Sequence, residues 1–264
     1  MTTKPREQEE EKVLIQPIEE EKIETVTVSA DVERWQPRTE IGRKVKSRQI
    51  TNIDEILDEG QAILEPEIVD MLLPDLQADL LLIGQSKGKF GGGSRRVFRQ
   101  TQKKTKEGNK PKFATYAVIG NEDGYVGLGF GKAKETVPAR EKATRKAKLN
   151  IMKVCRGCGS WQCNCRTPHS IPFKVEGKCS SVTVELTPAP KGTGLKAQKE
   201  VAKILKFAGI KDIWVKMRGQ TRVTINVIEA LKKALLKLNS TKIQDKYNEQ
   251  LAVTSGSLKN KKSE

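Results

Sequence analysis

Four cysteines, Cys155, Cys158, Cys163 and Cys165, fall within eleven residues, and the only histidine, His169, follows four residues later. The Cys-x2-Cys half has the spacing at which two thiolates point at one tetrahedral ion, and Gly157 and Gly159 permit the tight turn this needs. The Cys-x-Cys half is shorter than in common zinc ribbons, which leaves His169 as a substitute ligand. These residues predict a structural zinc ion held by Cys155, Cys158, Cys163 and Cys165. Free thiols in a reducing cytosol and a redox pair are the alternatives. Cys179 stands apart and reads as a small packed residue.

Catalysis finds little to work with. A triad or acid–base relay would have to be built on His169 alone, nothing near it in sequence completes one, and no paired carboxylates stand out. The run Gly127-Leu128-Gly129-Phe130-Gly131-Lys132 looks like a phosphate loop but fails on spacing. Val126 and Ala133 occupy the positions where a glycine and a Ser/Thr are required. A chain without enzymatic activity and without a small-molecule substrate is expected.

The second chemical signal is charge. The 264 residues carry a formal net charge of +16, and that figure is a difference between two unlike parts. Residues 1–84 hold ten Lys/Arg and twenty Asp/Glu, giving −10, so residues 85–264 hold the remaining 39 and 13, giving +26. Such asymmetry points to a polyanion as the partner of the basic part. The longest aliphatic run, Leu80-Leu81-Leu82-Ile83, is far short of a bilayer span of roughly 20 residues. The N-terminus runs into glutamates rather than an apolar signal core, so a cytoplasmic protein is expected. Aromatic residues make up only 5% of the chain, which argues against base stacking on single strands and for folded RNA read by shape and backbone.

The elements that would position these groups follow from periodicity. Residues 1–50 read as an acidic, disordered arm. Residues 51–84 read as a helical lead-in divided by Pro66 and Pro74. Residues 85–154 form the first domain, beginning with a basic, glycine-rich insertion over 85–112 that is a loop or long hairpin. Phe113 to Ile119 and Tyr125 to Phe130 are strands joined at Gly120–Gly124. In the second strand Gly127 and Gly129 strip one face of side chains, which suggests close approach by another backbone or by a ligand. A helix from about Val137 carries Ala139, Ala143 and Ala147 on one stripe and Arg140, Lys142, Arg145, Lys146 and Lys148 around it. Strand, strand, basic helix is the plan of a double-stranded-RNA-binding-like domain.

Residues 155–169 form a Cys-rich linker and 170–240 a second unit. Its strands turn at Glu176-Gly177-Lys178, and it continues with a helix ending at Gly209, a strand over Ile213–Met217 and a last helix from about Val227. Residues 241–264 read as a flexible polar tail. The residues expected at RNA are Arg95, Arg96, Arg99, Lys103, Lys104, Gly124, Gly127, Gly129, Lys132, Lys134, Arg140, Lys142, Arg145, Lys146, Lys191, Gly192, Gly194, Arg218 and Arg222. Gly192-Thr193-Gly194 either offers backbone N–H groups to a phosphate or is a plain turn.

Several separated motifs now share one likeness: Gly120–Gly129, Gly131-Lys132-Ala133-Lys134-Glu135, Pro188–Gly194 and Leu205–Ile213. In this order they resemble the family of the fifth protein of the small ribosomal subunit, over roughly residues 52–240. Pro66–Asp70 with Leu72-Leu73-Pro74, Arg156–Trp161 and Pro168-His169-Ser170 resemble the archaeal branch, and bacterial members lack the cysteine cluster. The likeness implies an α+β fold, with a double-stranded-RNA-binding-like domain followed by a two-layer α/β domain with a left-handed crossover. It implies a structural constituent of the small (30S) subunit that binds rRNA beside the fourth and eighth proteins, near the mRNA path, and contributes to translational accuracy. A free RNA chaperone or RNA-processing factor is the alternative. The stretch from Gly84 to Lys112 is longer and more basic than the family pattern.

Overall fold

In the computed structural model the described residues are 35–86 and 95–257, so the expectations for 1–34, 87–94 and 258–264 lie outside the described residues. The first sheet is built on a hairpin of β3 (Gly108–Gly120) and β4 (Tyr125–Ala133), flanked by β1 (Gln77–Leu81) on one edge and β5 (Ile151–Lys153) on the other. The turn between β3 and β4 is the one read from sequence. Asn121 Oδ1 accepts from the amides of Asp123 and Tyr125, and Gly124 takes a φ of +97°. Strand β2 (Arg99–Thr105) pairs with the outer part of β3, from Arg99 opposite Ala114 to Thr105 opposite Gly108. The basic insertion is therefore a two-stranded ribbon over much of its length.

Helix α4 (Thr136–Leu149) lies across this sheet, and its seat is made of glycine. A Cβ at Gly127, Gly129 or Gly131 would collide with the α4 backbone at Ala147, Ala143 and Ala139 respectively. The stripped face of β4 thus receives a protein helix, whose alanines meet Ala117 and Ile119 of β3 in a small-residue cluster. Gly129→Ala is expected to destabilise the fold by about 1–3 kcal/mol through overpacking, seen as a lower urea midpoint. An unchanged midpoint would show that the helix can retreat without loss.

The lead-in helices are α1 (Glu40–Lys46), α2 (Ile53–Asp58) and α3 (Pro66–Leu72). Two expectations need correction here. Residues 35–50 are not a disordered arm: Trp35 and Val45 pack with Ile53, Ile56, Ile68 and Tyr125 in a separate core, and Trp35 Nε1 donates to Glu65 Oε2 at 2.9 Å. Glu65 Oε1 accepts from the amides of Arg38 and Thr39, tying the same segment down again. The lead-in is also not helical to its end. After Pro74 stops α3, Leu76, Ala78 and Leu80 alternate toward the cluster under α4, so Gln77–Leu81 pairs with β3 as an edge strand. The acidic residues of this segment anchor it to the basic part: Asp70 pairs with Lys148 of α4 at 2.6 Å, and Asp58 pairs with Lys153 of β5.

The second sheet has the order β7 (Val175–Cys179), β8 (Val182–Pro188), β10 (Ile213–Arg218), β9 (Leu195–Lys196). Strand β9 runs parallel to β10, and helix α5 (Lys199–Phe207) connects them. Helix α6 (Thr224–Ser240) covers β7 and β8. The turn expected at Glu176-Gly177-Lys178 lies instead at Ser180-Ser181, because Gly177 is a mid-strand glycine. A Cβ there would strike the α6 backbone at Ala230 and Ala234. Both domains therefore seat a helix on a strand glycine.

The two units share one core. Leu81, Val118 and Leu128 of the first sheet lie in the same buried cluster as Val184, Leu205 and Leu231 of the second unit, and Cys179 packs at its edge. Polar contacts lock the junction: Tyr116 Oη donates to Glu229 at 2.5 Å, and the Leu82 amide donates to Glu200 Oε2 at 2.8 Å. Residues 241–257 are likewise not a loose tail. They include helix α7 (Asp245–Asn248) and strand β11 (Thr254–Ser255), which pairs with β6 (Cys155–Arg156) beside the cysteine cluster. No helix among the described residues is long and apolar enough to cross a membrane.

Candidate metal centre and nucleic-acid interface

The segment after β6 is held by short backbone ladders rather than by regular structure. Gly157 and Ser170 exchange two backbone hydrogen bonds of 2.9 Å, the Gly159 amide donates to Ile171 O, and the Cys158 amide donates to Leu251 O at 2.7 Å. Gly159 is required at its position, since a Cβ would run into the carbonyl of Pro172. This folding of 157–159 against 170–171 carries His169 back to the knuckle.

Cys158, Cys163, Cys165 and His169 converge, with their ligand atoms all within 4.8 Å of one another. Cys165 Sγ lies 3.5 Å from Cys158 Sγ, and Cys163 Sγ lies 3.7 Å from His169 Nε2. Zinc–sulphur bonds of about 2.3 Å at tetrahedral angles imply ligand separations of roughly 3.5–3.8 Å. The donor set and spacing therefore fit one tetrahedral ion.

Burial opposes ionisation at Cys165, but hydrogen bonds from Thr167 and from the neighbouring thiols hold it down to about 6. Cys158 goes the other way, pushed up to about 12 by burial first and by the same sulphur neighbours next. Three sulphurs within 4.8 Å of one another cannot all ionise without a cation among them, and a divalent ion would supply that charge.

The expected ligand set is corrected in one member. Cys155 does not join the cluster; it belongs to β6, lies in the main hydrophobic core, and its amide donates to Asn239 Oδ1 at 3.0 Å. Alternation along an extended strand turns its side chain away from the knuckle, and His169 takes the fourth place. His169 is fixed in turn by Asp212, whose Oδ2 lies 2.9 Å from Nδ1. Nothing in the residue pattern marked Asp212, because its role depends on a contact across 43 residues.

The cations expected at RNA divide into three groups. Arg140, Lys142, Arg145 and Lys146 are exposed on the outer arc of α4, with Lys132 and Lys134 exposed just before it. Lys103 and Lys104 lie on the β2–β3 ribbon, where Lys103 is directly opposite Lys110. Like charges facing each other across an exposed ribbon repel, and a polyanion laid along it relieves that repulsion. Lys110 is paired with Glu107 at 2.7 Å. Arg95, Arg99 and Arg222 line a cleft of about 440 Å³ between the exit of β1 and the start of α6, and Arg96 is exposed beside it in sequence.

Other residues in the expected set do not face outward. Gly124, Gly127 and Gly129 are buried, the last two under α4 and the first against Gly256. The amides of Gly192 and Gly194, expected to be open to a phosphate, both donate to Asp212 Oδ1, at 3.0 and 2.8 Å. The segment is a plain turn, with φ of +91° and +71° at its glycines, and α5 begins only at Lys199. Lys191 remains exposed at its tip. Arg218 stays exposed while its guanidinium lies 3.3 Å from Glu185; Lys148, outside the expected set, is taken by Asp70.

Residues 97–155 match the family described as ribosomal protein S5, N-terminal domain, and residues 177–248 match ribosomal protein S5, C-terminal domain. The small ribosomal subunit protein uS5 of Nanoarchaeum equitans is 49% identical over 231 residues, covering 88% of this chain and 99% of that protein. The protein of the same name from Methanocaldococcus jannaschii is 47% identical over 226 residues, covering 86% and 97%. That of Pyrobaculum aerophilum is 46% identical over 224 residues, covering 85% and 94%.

Proposed function

Because the chain belongs to the ribosomal protein S5 family, of archaeal type, we propose that it is a structural constituent of the small ribosomal subunit that binds rRNA and acts without catalysis of its own. The observation that carries this reading is identity at nearly half of all positions across the whole length of a small-subunit protein. The exposed basic surfaces support it: the arc of α4, the lysines of the β2–β3 ribbon and the arginine-lined cleft. Its place is the ribosome in the cytoplasm, beside the fourth and eighth proteins of the subunit and near the mRNA path, where it contributes to translational accuracy. Sedimentation of a cell extract tests the reading directly. The protein is expected in the small-subunit peak, and its absence there would overturn the proposal.

Phosphate contacts release counterions, so each lysine lost from the interface reduces the slope of log affinity against log salt by roughly 0.7–0.9. Lys142→Ala and Lys146→Ala are each expected to weaken binding to small-subunit rRNA and to shallow that slope. An unchanged slope in both variants would remove α4 from the interface.

The metal reading is a structural zinc ion held by Cys158, Cys163, Cys165 and His169. When bound, the ion cross-links four points of a segment with little regular structure, and two of its ligands are buried. Elemental analysis of the purified chain is expected to find about one zinc per molecule, the stoichiometry of one tetrahedral site.

A further inference from the structure

We propose that Asp212 is a positioning residue joining the metal centre to the Pro188–Gly194 turn, so that metal occupancy and the shape of that turn depend on each other; this rests on the zinc reading above. The Asp212 and His169 side chains are only 7% and 6% exposed. One carboxylate oxygen meets His169 Nδ1 at 2.9 Å, and the other accepts from both Gly192 and Gly194. The backbone repeats the link, since His169 O accepts from the amides of Lys211 and Asp212.

A carboxylate can only accept hydrogen bonds, so Nδ1 carries the proton. The lone pair on Nε2 is then directed at the sulphurs, with Cys163 Sγ at 3.7 Å. The ring orientation a metal requires is set from behind by the same carboxylate that holds the turn.

The turn has few other anchors. Thr193 N and Oγ1 both donate to Pro190 O, and Ile213 N donates to Gly194 O. Among the described residues, apart from the chain neighbours, no atom lies within 4 Å of where a Cβ would sit on Gly192 or Gly194, so packing does not fix these residues. Asp212 does, and Asp212 is oriented by His169. A bound ion that immobilises the imidazole therefore stiffens the turn that presents Lys191 to solvent. Loss of the ion frees the ring, and the carboxylate with it. Outer-sphere carboxylates of this kind are typically worth about 10–100-fold in metal affinity.

The full chain provides two measurements. Asp212→Asn retains a carbonyl oxygen for the glycine amides but sets an NH₂ group against Nδ1–H; zinc affinity, read by competition with a chromophoric chelator, is expected to fall about 10–100-fold. Lys196→Ala, exposed on β9 just past the turn and without a role in the link, is expected to keep wild-type affinity. Chelation of zinc from the unaltered protein is expected to accelerate hydrogen exchange at Gly192 and Gly194, while β8 stays protected. This second measurement decides the matter even if Asp212→Asn does not fold. Zinc affinity within twofold of wild type in a folded Asp212→Asn, or unaltered exchange at the two glycines after chelation, overturns the coupling. A wild-type protein that takes up no zinc overturns the metal reading itself, and the coupling with it.

Discussion

On the zinc reading proposed above, stripping the ion is expected to lower the urea midpoint of the whole chain and to melt residues 157–168 while both sheets stay folded. Between Ser160 and Thr167 the described backbone hydrogen bonds are few, one of them from Cys163 N to Ser160 O, and Trp161 is 88% exposed, so little else holds the segment. A ligand bound to the native state alone stabilises it by about 4 kcal/mol when its free concentration exceeds the dissociation constant a thousandfold. That is the loss expected on chelation under zinc-replete conditions. Because Cys158 N bonds to Leu251 O and β6 to β11, melting should spread to residues 250–257, visible as faster amide exchange there. Cys165→Ser and His169→Ala should each reproduce most of the effect. A Cys155→Ser variant should retain the metal. Equal midpoints with and without zinc would sink the structural role assigned to the ion.

The second large effect is expected at Arg156. Its side chain is 4% exposed, and the guanidinium ties three parts of the chain. Nη2 donates to Asp123 Oδ1 in the β3–β4 turn at 2.8 Å and to Gly256 O at 2.9 Å, and the backbone of Gly209, at the end of α5, closes over the same group. Asp123 Oδ2 in turn accepts from Ser257 Oγ at 2.6 Å. Removing one partner of a buried ion pair leaves the other desolvated, at a cost of about 3–5 kcal/mol. Arg156→Met keeps much of the volume, so the expected loss of about 3 kcal/mol reports charge and hydrogen bonding rather than a cavity. Combined with Ser257→Ala the losses should not add, because both act through Asp123. A midpoint within experimental scatter of wild type would mean that the junction is held by packing alone.

The hairpin, the basic helix and the alternating strands of the second unit were legible because each is a local pattern in which side-chain period reports burial. The glycines of β4 were legible as a demand for close approach, but a missing Cβ carries no label for what approaches. The answer, α4 rather than RNA, lies in alanines spaced four apart that pack on them. The ligand set misled by one residue for a related reason. Spacing counts positions along the chain, whereas the knuckle is closed by backbone pairing of 157–159 with 170–171, which brings His169 in and leaves Cys155 on a strand. Residues 241–257 carry no apolar period because they are fixed by backbone pairing, by Gly256 at a φ of +77°, and by Ser257, none of which periodicity can detect.

The pairing of β6 with β11 also bears on how the chain is made. Arg156 meets Gly256 only 100 residues later in the sequence, and the knuckle's own Cys158 waits for Leu251. Synthesis is vectorial, and early domains fold as they emerge. The first sheet and α6 are both translated before the clasp, yet the turn at Asp123 and the adjoining cysteine segment stay unlatched until residue 257 has left the tunnel. A chain arrested before that point would show folded sheets with an open clasp, so the final latch reports that translation has passed residue 257.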